Sequence, residues 1–219
     1  MLQIIITFVL RLFLYKNRVE RMKKISKIIV IVFVVMCFCG VSNLMGQTFV
    51  VAARDGDAVA QYKLGRMYAQ NDKMQKDIKK AIYWYKKAAE QNQKDAIMAL
   101  GDLYYYGTEV KRNLHLAFTY YKQASELDNY EACYSLGEMY AQGVGVAKHL
   151  PTAFSYYKKA ADKGGLAKAM FKVGTMYYDG LGCKKDVAQS LNYIKMAYKE
   201  GYPTALEYWN EKQLWQYEE

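Results

Sequence analysis

Residues whose types and spacing could carry nucleophilic, acid–base or metal chemistry are sparse in this chain. Its 219 residues include two His and four Cys. A nucleophile needs a base within hydrogen-bond reach, and a metal site needs clustered ligands. His115 and His149 both stand just ahead of a predicted helix, at nearly equivalent places in the sequence, where a His faces solvent far more often than it ligates. Asp77 and Asp186 also precede helices, where a carboxylate caps the first turn and complements its positive end. Cys37 and Cys39 lie in an N-terminal apolar run, leaving Cys133 and Cys183 for the rest of the chain. No catalytic residue, cofactor or metal site is expected, and the chain reads as a non-enzyme.

The elements that position these residues follow from an internal repeat. A shift of 36 residues brings AQYKLGRMY (Ala60–Tyr68) over AIMALGDLY (Ala96–Tyr104) and then ACYSLGEMY (Ala132–Tyr140), and a shift of 37 adds AMFKVGTMY (Ala169–Tyr177). The small residue, the apolar residue four later, the Gly after it and the Tyr beyond share one helical face, and the Gly admits a close neighbour. A second segment repeats as AIYWYKKAAE, AFTYYKQASE, AFSYYKKAAD and SLNYIKMAYK, starting at Ala81, Ala117, Ala153 and Ser190. Its aromatic and Ala positions at i, i+4 and i+7 form the apolar stripe of an amphipathic helix. Each unit is therefore a helical hairpin, with repeats at about 58–93, 94–129, 130–166 and 167–202. A half-unit at 49–57 and a capping helix at 203–219, bearing Trp209 and Trp215, flank the array, as terminal repeats of a solenoid must differ from internal ones.

These segments resemble the Sel-one-like repeat (SLR) family, a relative of the tetratricopeptide repeats. The third unit carries the family's elements in order in LGEMYAQGVGVAKHLPTAFSYYKKAADKG, and the fourth keeps loop glycines at Gly180 and Gly182. The corresponding loops of the first and second units read AQNDKMQKD and YGTEVKRN, with only Gly107 retained. The resemblance implies an all-α fold: a right-handed α-solenoid, or superhelix, of antiparallel helix pairs, tetratricopeptide-like, over residues 47–219. Cys133 begins a first helix and Cys183 follows one. With about 1.5 Å of rise per residue, they sit roughly 15 Å apart and remain two free thiols. Some cysteine-rich secreted members of the family are linked to β-lactam binding, but their regular Cys pair in each repeat is missing here.

Charge is uneven along the chain. The formal net charge is +10, yet residues 1–46 hold seven of the 31 basic residues and one of the 21 acidic ones. What remains is 24 basic against 20 acidic residues, mixed along helices as on a solvated surface, which removes the main support for a nucleic-acid partner. From Met22, MKKISK, the apolar run Ile28–Val41 and SNLMGQ form the three parts of a secretory signal peptide over 22–46, with the expected cut between Gly46 and Gln47. The apolar run is 14 residues, short of a membrane span, though an uncleaved anchor is the alternative. Residues 1–21 precede a complete signal and suggest a true start at Met22. Cys37 lacks the small residues that a lipidation site needs before it. A periplasmic or secreted location follows, with the membrane met only during export unless the signal is retained.

The family resemblance places first helices on the inner, concave wall. By spacing, Tyr62, Arg66 and Gln70 point into it from the first unit, and Met98, Asp102, Tyr105 and Tyr106 from the second. Tyr134, Glu138 and Gln142 do so from the third, and Phe171, Thr175, Tyr178 and Asp179 from the fourth. Tyr with single charges is the composition of recognition surfaces, although aromatics also pack between helices. The reading is a monomeric scaffold that binds a protein or peptide. The alternative, an envelope enzyme or a binder of small molecules or glycans, would show a deep pocket with buried ionisable groups.

Overall fold

A computed structural model of the chain describes residues 49–70 and 76–217. The expected signal segment, the upstream residues 1–21 and part of the first unit's loop lie outside the described residues. Both repeated segments of every unit are helical, and no strand occurs among the described residues. Helix α1 (Ala58–Gln70) pairs with α2 (Ile78–Ala89), α3 (Lys94–Tyr106) with α4 (Leu114–Glu126), α5 (Tyr130–Gln142) with α6 (Leu150–Asp162), and α7 (Ala167–Asp179) with α8 (Val187–Lys199). A short helical segment over 49–54 precedes them.

All four hairpins close in the same way despite their different loop sequences. The N-cap residue of each second helix donates its backbone N–H to the carbonyl of the repeated first-helix Tyr nine positions earlier: Asp77 to Tyr68, Asn113 to Tyr104, His149 to Tyr140 and Asp186 to Tyr177, at 2.9–3.0 Å. The side chain of the same residue accepts from the backbone N–H three residues on, in α2, α4, α6 and α8 alike. His149 does this through Nδ1, so its place in the sequence reflects capping. Gly182, at φ +73, lies so close to the backbone of Leu150 and Pro151 in the preceding hairpin that a side chain there would meet it.

The repeated Gly of each first helix lies against a second-helix side chain. A Cβ at Gly65, Gly101 or Gly137 would stand 2.5–2.6 Å from the ring of Tyr85, Tyr121 or Tyr157, and one at Gly174 would stand 2.6 Å from Ile194. The Ala residues of the second-helix stripe are fully buried with them. The core is a row of clusters that straddle hairpin boundaries: Ala81 and Tyr85 with Leu100, then Ile97 and Tyr121 with Leu136, then Tyr157 with Val173 and Ile194. Among the described residues every buried apolar one falls between Ala53 and Leu214, within the compact unit Ala52–Glu219, so this unit carries its own core.

The C-terminal end departs from expectation. Instead of one helix over 203–219, α9 (Pro203–Glu211) stops, the chain turns at Lys212 and Gln213 (φ +50), and a 3-10 turn follows at Leu214–Tyr217. The turn buries Leu214 completely, which a straight helix would not do. Trp209 packs partly buried with Lys195 over its ring, whereas Trp215 stays exposed.

Candidate partner-binding face

The residue after each repeated Gly lies next to the ring that crosses it, so its chemistry is coupled to the second helix. In hairpin two the Tyr121 hydroxyl donates to Asp102 Oδ1 at 2.8 Å, and in hairpin three the Tyr157 hydroxyl donates to Glu138 Oε1 at 2.6 Å. Hairpin four has Ile194 at the equivalent place, and there Thr175 bonds to its own helix at Lys172 O, 2.9 Å away. Hairpin one has Arg66, whose guanidinium lies over the Tyr62 ring and reaches Gln70 Oε1 at 3.4 Å.

Two half-buried carboxyls in equivalent positions have opposite tendencies. Burial raises Asp102 above the usual Asp value of 3.8, against the Tyr121 bond that favours its charge. Burial also works against the charge on Glu138, but the Tyr157 hydroxyl and Lys172 outweigh it and hold Glu138 below the usual 4.5. Lys172 Nζ lies 3.1 Å from Glu138, and Gln142 donates to the other carboxylate oxygen at 2.6 Å. Burial, then the neighbouring carboxylates, push both tyrosine hydroxyls up, so they stay protonated donors.

Five of the residues read from the sequence converge. Tyr62, Arg66, Gln70, Asp102 and Tyr106 line an open hollow of about 360 Å³ between hairpins one and two, floored by Tyr85, Ala99 and Leu103. Tyr106 is 66% exposed at its rim. The others are spent differently. Met98 packs beside the second core cluster. Tyr105 leans on Tyr121 and carries Arg112 over its ring, and Tyr134 leans on Tyr157 with Lys168 Nζ 4.4 Å from its ring centroid. Phe171 packs on Tyr202 and Tyr208, Tyr178 on Tyr208, and Asp179 is exposed. Sequence reasoning missed Tyr85 and Thr108 as lining residues. Tyr85 had a signal, since it aligns with Tyr121 and Tyr157 as the ring that crosses each Gly. Cys133 is buried, Cys183 half-buried, and both are free.

Segments 58–93, 94–129, 131–165 and 167–202 match the Sel1 repeat family. The chain belongs to it. Among solved Sel1 repeat structures, c5321, a protective antigen present in uropathogenic Escherichia coli strains and displaying an SLR fold, aligns at 31% identity with a TM-score of 0.70. The match covers 76% of this chain and 36% of that one. A Sel1 repeat protein from Oxalobacter formigenes aligns at 36% identity with a TM-score of 0.68, covering 72% of this chain and 64% of that one. The sel1-like repeat-containing protein L18 of Acanthamoeba polyphaga mimivirus is 50% identical over 44 residues, which is 20% of this chain and 8% of L18. The chain thus spans less than two thirds of each of these proteins. Its fold is the expected all-α, right-handed solenoid of helix pairs. Sel1 repeat proteins are generally scaffolds for protein interaction and are not typically enzymes.

Proposed function

We propose that this Sel1 repeat protein is an exported, monomeric scaffold of the cell envelope or the extracellular space, and that its first-helix face holds a segment of a protein or peptide partner. The observation that carries this reading is the hollow between hairpins one and two. It sets two aromatic side chains, Tyr62 and Tyr106, beside an Arg and a carboxylate, Arg66 and Asp102. Aromatic bodies supply contact area at low entropic cost, and the opposed charges fix the orientation of a polar backbone or of charged side chains. Among the described residues Arg66 is held by Gln70 and the Tyr62 ring, so its fork of donors is available to a carboxylate. Export rests on the basic, apolar and polar parts of residues 22–46.

Selection of peptides from a displayed library against residues 47–219 tests the binding role. Selected peptides should lose at least about tenfold in affinity against the double variant Arg66→Ala and Tyr106→Ala, two exposed positions whose loss leaves the melting temperature unchanged. Undiminished binding to that variant would remove the hollow as the site. For export, N-terminal sequencing of the protein recovered from the envelope or the medium should begin at Gln47. Peptides from residues 1–20 in that material would contradict a start at Met22.

A further inference from the structure

The positive charge of the array is gathered on one edge. Residues 47–219 hold 24 basic and 20 acidic residues. The described residues of the connections from first to second helices, with the first residues of two second helices, at 76–80, 107–115, 143–149 and 180–186, contain eight of those basic residues and three of the acidic ones. Everything else in the array balances, at sixteen against seventeen. These connections form a continuous row. Lys76 of the first pairs with Glu109 of the second at 2.5 Å, Gly145 of the third lies against Leu114 at the start of α4, and Gly182 of the fourth lies against Leu150 at the start of α6.

The acidic residues of this edge are already engaged. Asp77 and Asp186 cap α2 and α8, and Glu109 holds Lys76. Lys79, Lys111, Lys148 and Lys184, one from each hairpin, are exposed, and their ammonium groups make neither an ion pair nor a hydrogen bond among the described residues. Beside the last of them, Leu181 is 45% exposed at the tip of its connection. Phe, Tyr and Trp are absent from these four stretches, and the neighbouring rings of Tyr68, Tyr105 and Tyr178 lie under Lys80, Arg112 and Lys185, which leaves Tyr106, at the rim of the hollow, as the exposed ring nearest the row and no series of rings along it for nucleic-acid bases. A row of unpaired cations with an apolar tip suits the headgroup layer of a bilayer, where lysines meet phosphates and a Leu reaches the acyl boundary.

We propose that this edge docks the array onto an anionic phospholipid surface. Salt screens exposed charges beyond about 8 Å at physiological ionic strength, so the four lysines act together only when the edge lies flat on the membrane. The inference depends neither on the hollow nor on export.

The test is co-sedimentation of residues 47–219, which carry their own core, with vesicles of phosphatidylcholine containing about 30% phosphatidylglycerol. Binding is expected at low salt and should be lost in about 0.5 M salt and on pure phosphatidylcholine. The variant Lys79→Gln, Lys111→Gln, Lys148→Gln and Lys184→Gln should bind at least about tenfold more weakly. A control with the same change in net charge, Lys86→Gln, Lys122→Gln, Lys163→Gln and Lys199→Gln, lies in the C-terminal parts and caps of second helices, toward the opposite edge, and should bind as the parent does. Circular dichroism checks that both fold, and the pair Lys111→Gln and Lys148→Gln gives the same comparison if the fourfold variant does not. Equal loss in the control, equal binding to neutral vesicles, or retention on single-stranded RNA without vesicle binding would each overturn the proposal.

Discussion

Tyr121 and Tyr157 make the same bond from the same position in successive hairpins, to carboxyls that differ in their other donors. Glu138 stays charged because Tyr157 and Lys172 donate to it, so Tyr157→Phe leaves a half-buried carboxylate short of a donor and should cost about 1.5–3 kcal/mol in denaturant unfolding. Asp102 accepts its side-chain hydrogen bond from Tyr121, with no counterpart among the described residues to the Lys172 and Gln142 donors of Glu138, so Tyr121→Phe should cost at least as much. The two carboxyls also bend the pH profile in opposite directions. Glu138 binds its proton less readily folded than unfolded, so its contribution is present above the usual value of 4.5 and is lost as pH falls through and below it. Asp102 binds its proton more readily when folded, so its contribution grows as pH falls toward 3.8. Melting curves between neutral and acid pH should therefore fall less steeply for Glu138→Gln than for the parent, and more steeply for Asp102→Asn. The opposite order would contradict the assignment.

At the scale of the helix pair, the contact between Gly and the ring that crosses it decides the spacing. Gly137→Ala puts a Cβ 2.6 Å from the Tyr157 ring and should cost about 1–3 kcal/mol, measured by chemical unfolding, because the ring is fully buried and has little room to move. An unchanged midpoint would show that the hairpin opens freely. The pairs themselves were legible because the Ala, Leu, Gly and Tyr positions share one helical face and recur at a near-constant period. The closure of hairpins one and two was less legible, since their loops lack most of the family's glycines. The conserved geometry instead lies in the nine-residue step from Tyr68 to Asp77 and from Tyr104 to Asn113, with Asp or Asn as the cap. The break after Glu211 was hidden because nothing in the local pattern shows that Leu214 must turn inward to cover the last pair. Periodicity within a helix also could not separate Tyr106, exposed at the rim of the hollow, from Tyr105 beside it, which leans on Tyr121. That distinction depends on how one pair is rotated against the next.

The whole array is held by contacts between neighbours, with core clusters handed from one pair to the next. The recognition surface proposed for this scaffold is accordingly spread over a face, built mainly from first helices. Tyr106 stands on it with 66% of its surface exposed, while Tyr83, 54% exposed on α2, belongs to a second helix. Photo-crosslinking from these two positions is the direct measurement, with a photoreactive phenylalanine analogue replacing Tyr106 or Tyr83 and a peptide selected against the parent array as target. Binding on the first-helix face predicts a covalent adduct from position 106 and none from position 83. An adduct from position 83 alone would contradict it.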